Sequence, residues 1–249
     1  MHMPTYRVIK ILEVLRNSDD GLNLTEISEE TEIPKSTLSP IIKTLMETNF
    51  IEIKDNKYLI GFGAYKIGNA YNYRSDALSI IRSYMKDIVG ECNEICQLGV
   101  YENKMVFYIV KEEPKRAIKI VSSVGTRIAA NAPALGKALL SQFDDDYIIK
   151  NFKDNMVKYT DKTTLDIEKL LLQAHSVRQK GYALELGEID EDIRCVAIPL
   201  SIDGKVVAAL SISIPIYRAD EDNLNKCRDV LLKYKCIIET ALSGMDINF

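Results

Sequence analysis

Apolar residues recur at helical spacing in three successive segments at the start of the chain. The three stripes are Val8, Ile11, Leu12 and Leu15; Leu24 and Ile27; and Leu38, Ile41, Ile42, Leu45 and Met46. They predict three short helices, because residues three and four apart lie on one face of a helix. Asn23 followed by Glu26 predicts the start of the second helix, since a carboxylate three residues beyond an N-cap completes a capping box. Ile33-Pro34 then turns the chain before the third helix.

A β-hairpin is predicted directly after the third helix. Asn49 tolerates the left-handed conformation that ends many helices. Two short strands, 50–54 and 57–60, flank Asp55-Asn56, residues that accept the positive φ of a tight turn. Three helices and a hairpin are typical of a winged helix-turn-helix, which holds one exposed helix for insertion into a DNA groove. Small helical units of this kind also serve as protein-docking modules, so the pattern leaves that alternative open.

Beyond residue 68 the pattern changes twice. Residues 69–76 are polar and aromatic and predict a helical linker, and a new amphipathic helix begins at Ala77. Past Gly90 apolar residues alternate instead. This second pattern predicts strands at 95–101, 105–111, 117–124, 182–188, 194–202 and 205–214. It also predicts helices at 134–141, 144–152 and 220–243, and a longer helix that ends at 180 and is capped by either Thr164 or Asp166. Hairpins without regular βα alternation predict an α+β class with a largely antiparallel six-stranded sheet and flanking helices.

Composition and charge narrow the function. The 249 residues are 47% hydrophobic and 27% charged with a net charge of −4, which is ordinary for a soluble globular protein and argues against a general nucleic-acid coat. Residues 1–68 hold eight Lys or Arg against ten Asp or Glu, so any DNA-binding surface must be locally basic. We find neither a bilayer-spanning apolar run nor a signal-peptide pattern, and we expect a cytoplasmic protein without membrane contact.

Cysteine and histidine chemistry points away from metals and catalysis. Cys92 and Cys96 are four residues apart, which is not the spacing of a zinc knuckle, and the chain has only two histidines. We therefore expect free thiols, no metal and no cofactor. Cys195 with His175 would be the one conceivable nucleophile and base. His175 falls in the middle of a predicted helix with no acid partner in the pattern, so we do not expect an enzyme.

Motifs along most of the chain resemble those of the IclR family of bacterial and archaeal transcription regulators. The motifs are Leu24-Thr-Glu-Ile27, Pro34-Lys-Ser-Thr37, Gly61 and Gly68, Gly136-Lys-Ala-Leu-Leu140, Lys180-Gly-Tyr182, Arg194-Cys195, and Val206 to Ser213 with Pro215. Each is weak alone, but the ordered set from about Tyr6 to about Ser243 is specific. The resemblance implies a winged helix-turn-helix DNA-binding domain at 1–68, a linker helix at 69–82 and a sensor-like effector-binding domain at 83–249.

The resemblance also implies where an effector would bind. The family's pocket positions fall on Ala134, Leu135, Glu185, Cys195, Ser211 and Ser213. Backbone N–H groups at Ala134 and Leu135 would face a ligand carboxylate, which agrees with the preference of helix starts for anions. Ser211 and Ser213 share one side of a strand. Each position also has an ordinary alternative, because small or apolar residues like these commonly fill a core.

DNA contacts are expected on the third helix and the hairpin. Their outward direction in a winged helix suggests the following contact residues: Ser36, Thr37, Ser39 and Lys43 for the operator bases, and Lys35, Lys54 and Lys57 for phosphates.

Two departures from the family pattern affect these expectations. Pro40 replaces a usual basic residue in the third helix, and it should either kink a helix that starts near Lys35 or begin a later helix capped by Ser39. The loop Asp190-Glu-Asp-Ile193 replaces a small Gly-containing stretch and adds charge at the pocket mouth.

The function expected from the sequence is a ligand-responsive regulator. Operator DNA would bind a homodimer, which in this family assembles as a dimer of dimers, and a small organic acid would modulate that binding. The alternative is a small-molecule sensor module that acts through protein partners.

Overall fold

The computed structural model describes residues 1–18, 20–72, 76–115, 124–245 and 247. The chain divides into two compact units, Met1–Arg74 and Ser75–Phe249. Among the described residues, no helix combines the length and the apolar character needed to cross a membrane.

The first unit consists of four helices and one hairpin. In chain order these are α1 (Met3–Arg16), α2 (Leu24–Thr31), α3 (Lys35–Glu47), β1 (Ile51–Lys54), β2 (Lys57–Ile60) and α4 (Phe62–Asn72). The predicted capping box is present at α2: the Asn23 side chain accepts from the N–H groups of Thr25 and Glu26, and Glu26 accepts from the Asn23 N–H at 2.7 Å. The predicted left-handed residues are also present, with φ of 59° at Asn49 and of 50° and 62° at Asp55 and Asn56.

Helix α3 runs without interruption through Pro40. It begins at Lys35, immediately after Pro34, so the alternative of a late helix that starts at Pro40 with Ser39 as its cap is wrong. Proline has no N–H, and the α-helical bond from position 40 to the Ser36 carbonyl is therefore missing. The core beneath α3 still forms, because Leu38, Ile42 and Leu45 on the opposite stripe are buried.

The second unit is built on one six-stranded sheet. Its elements are α5 (Asp76–Cys92), β3 (Ile95–Glu102), β4 (Met105–Glu112), β5 (Arg127–Ala129), α6 (Ala134–Leu140), α7 (Asp145–Phe152), α8 (Ile167–Lys180), β6 (Ala183–Glu185), β7 (Ile193–Ile202), β8 (Lys205–Pro215) and α9 (Glu221–Leu242). The strand order is β5-β4-β3-β8-β7-β6, and every pairing is antiparallel. The α+β class and the antiparallel sheet are thus confirmed.

Helices cover both faces of this sheet and position the site. Helices α5 and α9 form one apolar cluster with the sheet, and α6, α7 and α8 form a second. Gly136 lets α6 approach closely, because a Cβ atom there would lie 2.1 Å from the carbonyl oxygen of Ala130. The first turn of α6 is thereby held against the segment that precedes it.

The observed strands differ from the prediction at β5, which was not predicted, and at β6, which is shorter than predicted. Strand β5 was not predicted; only three residues long, it gives too short an alternation to detect. Of the predicted strand 117–124, residues 117–123 lie outside the described residues. The predicted strand 182–188 ends early, at Glu185, because the chain turns at Gly187, whose φ is 92°.

Candidate functional site

The exposed face of α3 carries the side chains predicted to contact DNA. Ser36, Ser39 and Lys43 are exposed, and Thr37 is half-buried. The exposed residues lie three or four positions apart and form one stripe opposite the buried face. The structure therefore presents this stripe to solvent.

Three of the α3 side chains predicted to contact DNA already have partners within the unit. The Lys35 ammonium donates to the Thr25 hydroxyl at 2.7 Å, which links α3 to α2. The Ser39 hydroxyl donates to the Lys35 carbonyl at 2.9 Å, so its oxygen remains available to accept. Lys43 lies 4.0 Å from Glu47, and both side chains are largely exposed. Such an exposed pair is weak and would open readily for a phosphate or a base.

The tip of the hairpin concentrates positive charge. Lys54 and Lys57 are directly opposite each other across the β1–β2 pair. Like charges in this position disfavour the hairpin slightly unless an anion lies nearby. The pair is thus suited to a phosphate backbone, although Asp55 lies in the intervening turn.

All six predicted effector positions line one cavity in the second unit. The cavity has a volume of about 520 Å³. Helix α6 contributes its first two residues, β6 its last residue, β7 its third residue and β8 two serines. The predicted set is Ala134, Leu135, Glu185, Cys195, Ser211 and Ser213, and the structure brings all of it together.

The strand register explains why these side chains meet. Glu185 is opposite Cys195 across β6 and β7, and Cys195 is opposite Ser213 across β7 and β8. The three residues form a row across the sheet, in which opposite side chains lie close together. The Ser213 hydroxyl donates to Gln97 Oε1 at 3.1 Å and lies 3.2 Å from the Cys195 sulfur. The row is therefore a connected polar strip at the bottom of the cavity.

Glu185 is buried and only half satisfied. Its Oε1 accepts from the N–H groups of Glu188 and Ile189, whereas Oε2 has no partner among the described residues. Burial raises the pKa of the Glu185 carboxyl, and the two N–H donors oppose that rise only in part. A proton on Oε2 would convert this atom into a donor directed at a ligand.

A buried ion pair lies behind Glu185. The Lys137 ammonium pairs with the Glu188 carboxylate and donates to the Leu184 carbonyl at 3.2 Å. The other Glu188 oxygen accepts from the Thr164 N–H at 3.0 Å. Lys137 is neutralised by Glu188 and is not among the described residues that line the cavity. That described lining contains no Lys or Arg, whereas Glu185, Asp190 and Asp192 all belong to it.

The geometry does not support a catalytic pair of Cys195 and His175. His175 Nε2 lies 2.7 Å from Asp145 Oδ1 on α7, and His175 is not among the described residues that line the cavity. The expectation that His175 lacks an acid partner is therefore wrong, but the pair it forms is elsewhere. Burial and the nearby Glu185 raise the pKa of the Cys195 thiol, which opposes formation of a nucleophilic thiolate. Within the described residues no cluster of His, Cys, Asp and Glu could hold a metal ion.

Several cavity residues were not predicted. Gln97 on β3, Tyr108 on β4 and Ile128 on β5 also line it. The alternation along β3 and β4 could have identified the first two, since both lie on the same face of the sheet as Ser211. Nothing in the sequence identifies Ile128, because β5 itself was not predicted.

Comparisons with known proteins agree with this architecture. The family model for the IclR helix-turn-helix domain matches residues 5–54, and the model for the C-terminal domain of IclR bacterial transcriptional regulators matches residues 70–236. The repressor AllR of Salmonella paratyphi A is 27% identical over 241 residues, which cover 95% of this chain and 88% of AllR.

Two solved structures share the fold along almost the whole chain. An IclR regulator from Alicyclobacillus acidocaldarius superposes with a TM-score of 0.87 at 20% identity, covering 96% of this chain and 98% of that one. An IclR homologue from Microbacterium hydrocarbonoxydans, solved in complex with 4-hydroxybenzoate, superposes with a TM-score of 0.82 at 22% identity and the same coverage. With the two domain models in order along the sequence, this chain belongs to the IclR family of transcriptional regulators and has a helix-turn-helix DNA-binding domain at its N-terminus.

Proposed function

We propose that this protein binds operator DNA as a homo-oligomer in the cytoplasm and that a small hydroxy or keto acid in the C-terminal cavity changes that binding. Four side chains of α3 would contact bases, namely Ser36, Thr37, Ser39 and Lys43. Three lysines would contact phosphates, namely Lys35, Lys54 and Lys57. No covalent chemistry is required, since the ligand need only favour one of two arrangements of the regulator.

The convergence of the polar row and the start of α6 in one cavity carries this proposal. The N–H groups of Ala134 and Leu135 belong to the first turn of a helix, where backbone donors have no intrahelical partner. They would hold the ligand carboxylate, while the hydroxyl groups of Ser211 and Ser213 would accept or donate from the sheet. The homologue bound to 4-hydroxybenzoate, an acid that also carries a hydroxyl group, supports a ligand of this class.

The acidic lining restricts the ligand further. An anion beside an ionised Glu185 would be repelled, so the complex requires the protonated form of that side chain. Because Oε1 already accepts two N–H groups, the proton would reside on Oε2 and point at the ligand. A hydroxyl or keto oxygen gives that donor a partner, which a plain fatty acid lacks.

The ligand site can be tested by calorimetric titration with a panel of small hydroxy and keto acids, 4-hydroxybenzoate included. Changing Ser211→Ala together with Ser213→Ala removes two hydrogen-bonding groups worth roughly 0.5–1.5 kcal/mol each. Together they amount to about 1–3 kcal/mol, so we expect binding of the best acid to weaken about fivefold or more. Ser201→Ala, on the same strand as Cys195 but outside the described cavity lining, serves as the control and should leave the affinity unchanged. If the double variant binds every acid as the parent does, the pocket assignment is wrong.

A further inference from the structure

A second cavity in the C-terminal unit has the opposite charge. It has a volume of about 400 Å³ and lies between α8, β6 and the residues that follow β6. Its lining contains one acidic residue, Glu188, and four lysines, Lys137, Lys162, Lys169 and Lys180. The cavity proposed above for the acid ligand, from here on the effector cavity, has three acidic residues and no lysine in its described lining.

Three of the four lysines lack a counter-charge. Lys137 is neutralised by Glu188, but Lys162, Lys169 and Lys180 form no ion pair with another described residue. These three come from two parts of the chain, since Lys162 precedes α8 and the other two are on that helix. Like charges around one depression repel each other, and an anion between them would relieve the repulsion.

One residue of the same lining, Gln173, has a buried side-chain oxygen without a hydrogen-bond partner among the described residues. Gln173 donates from Nε2 to the Thr164 hydroxyl at 3.4 Å, but its Oε1 is buried and has no partner among the described residues. Such an acceptor costs free energy unless a donor reaches it. A ligand with both an anionic group and a hydroxyl group would satisfy the lysines and this oxygen together.

We propose that this basic cavity, defined by Lys162, Lys169, Gln173 and Lys180, binds a small phosphate ester that carries a hydroxyl group. Lysine ammonium groups bind phosphate as point charges, and a phosphate monoester carries about two negative charges near neutral pH against one on a carboxylate, so it balances the lysines of this lining better. The site is separate from the effector cavity and does not rest on the function proposed for it.

The two cavities share one wall. Lys137 and Glu188 line the basic cavity, and the N–H of Glu188 donates to Glu185 in the effector cavity. An occupant of the basic cavity is therefore one hydrogen bond away from the carboxyl that faces the effector.

The experiment is calorimetric titration of the full chain at low salt with glycerol 3-phosphate, methyl phosphate and glycerol. We expect both phosphates to bind and glycerol not to bind, with glycerol 3-phosphate the tighter of the two phosphates. Replacing Lys162, Lys169 and Lys180 together by Gln should weaken both by about tenfold or more, because three exposed charge pairs are lost. Gln173→Leu should abolish the preference for glycerol 3-phosphate.

Two controls separate this site from other binding. Lys150→Gln, at an exposed lysine on α7, should leave both affinities unchanged. The variant with Ser211→Ala and Ser213→Ala should also bind the phosphates normally, so failure of the effector proposal would not affect this result. Absence of measurable phosphate binding at millimolar concentration, or equal binding by the triple lysine variant, would overturn the site, and equal affinity for the two phosphates would overturn the role of Gln173.

Discussion

At the scale of single residues, we propose that Glu185 limits which ligands the cavity of the C-terminal unit accepts. Its charged form is disfavoured by burial, and one oxygen of this cavity-lining carboxyl has no hydrogen-bond partner among the described residues. The polar row with Cys195 and Ser213 then offers donors and acceptors along one side of the sheet. A neutral Glu185 makes an otherwise acidic cavity compatible with an acid ligand.

The pH dependence of stability tests this property of Glu185. A carboxyl whose pKa is raised in the folded state binds more protons folded than unfolded, so the free energy of unfolding falls as pH rises from about the unperturbed value of 4.5 through the folded pKa. Glu185→Gln removes the titrating carboxyl and with it this fall in the free energy of unfolding. The stability of this variant relative to the parent should therefore increase with pH across that window in denaturant titrations. A difference that is constant with pH would contradict a raised pKa.

The residues of the site were predictable to unequal degrees. The six cavity positions were implied by the resemblance to the IclR family, and strand alternation by itself placed only Ser211 and Ser213 on one side of the sheet. The ion pair of Lys137 and Glu188 was not predicted, since its partners are 51 residues apart and only the packing of α6 against the loop after β6 joins them. The Asp145 partner of His175 was missed for the same reason.

At the scale of elements, α3 tolerates a proline that its sequence context should reject. The helix is held by its buried stripe rather than by a complete set of backbone bonds, since position 40 donates none. From the sequence, Pro40 was expected either to kink α3 or to begin it. The helix begins at Lys35 instead, because packing of its buried stripe holds the turn before Pro40 in place. The hairpin, in contrast, follows directly from its turn residues.

Replacing Pro40 should stabilise this helix locally. Pro40→Ala restores the bond to the Ser36 carbonyl and removes an unfavourable helix residue, a gain of about 1–3 kcal/mol. Hydrogen exchange of the α3 amides in the full chain should slow accordingly. Pro34→Ala lies at the N-cap, outside the helix, and should give no such gain. Unchanged exchange in Pro40→Ala would contradict the view that the missing bond weakens α3.

The hairpin and the helix should affect DNA binding in different ways. Lys57→Ala should lower the slope of log K against log salt by about one for each lost phosphate contact. Lys43→Ala should cost roughly 1–3 kcal/mol of operator affinity if this side chain contacts a base. Fluorescence anisotropy with promoter DNA at several salt concentrations measures both. Lys205→Ala, at the first residue of β8, is the control, and parent-like slopes and affinities in both Lys57→Ala and Lys43→Ala would exclude the assigned DNA surface.

At the scale of the whole molecule, the first unit exposes an apolar surface that it does not cover itself. Ile11 and Leu15 of α1 are buried in the unit's own core and do not contribute to this surface. Ile9, Phe62 and Tyr65 remain 50%, 62% and 60% exposed around a groove between α1 and α4. A second copy of the chain would cover it symmetrically and would present two recognition helices to two half-sites.

Sedimentation tests this assembly. The parent should sediment as a species heavier than the 28.1 kDa chain at micromolar concentration. Phe62→Ser with Tyr65→Ser should shift it towards the monomer, because two stacked exposed rings with a centroid distance of 5.5 Å are removed from the contact. Leu172→Ser, at a 67% exposed position on α8, should have no such effect. A parent that is monomeric under these conditions would contradict the proposed oligomer.

The central claim is that occupancy of the effector cavity controls operator binding, and one titration tests it directly. Promoter DNA is bound to the parent and to the variant with Ser211→Ala and Ser213→Ala, and the best acid of the calorimetric panel is added while anisotropy is followed. We expect equal DNA affinity without acid, and an acid-dependent change of that affinity in the parent that requires at least about fivefold more acid in the variant. A parent whose DNA affinity is indifferent to every acid that binds it, or a variant that responds as the parent does, would exclude control of operator binding through this cavity.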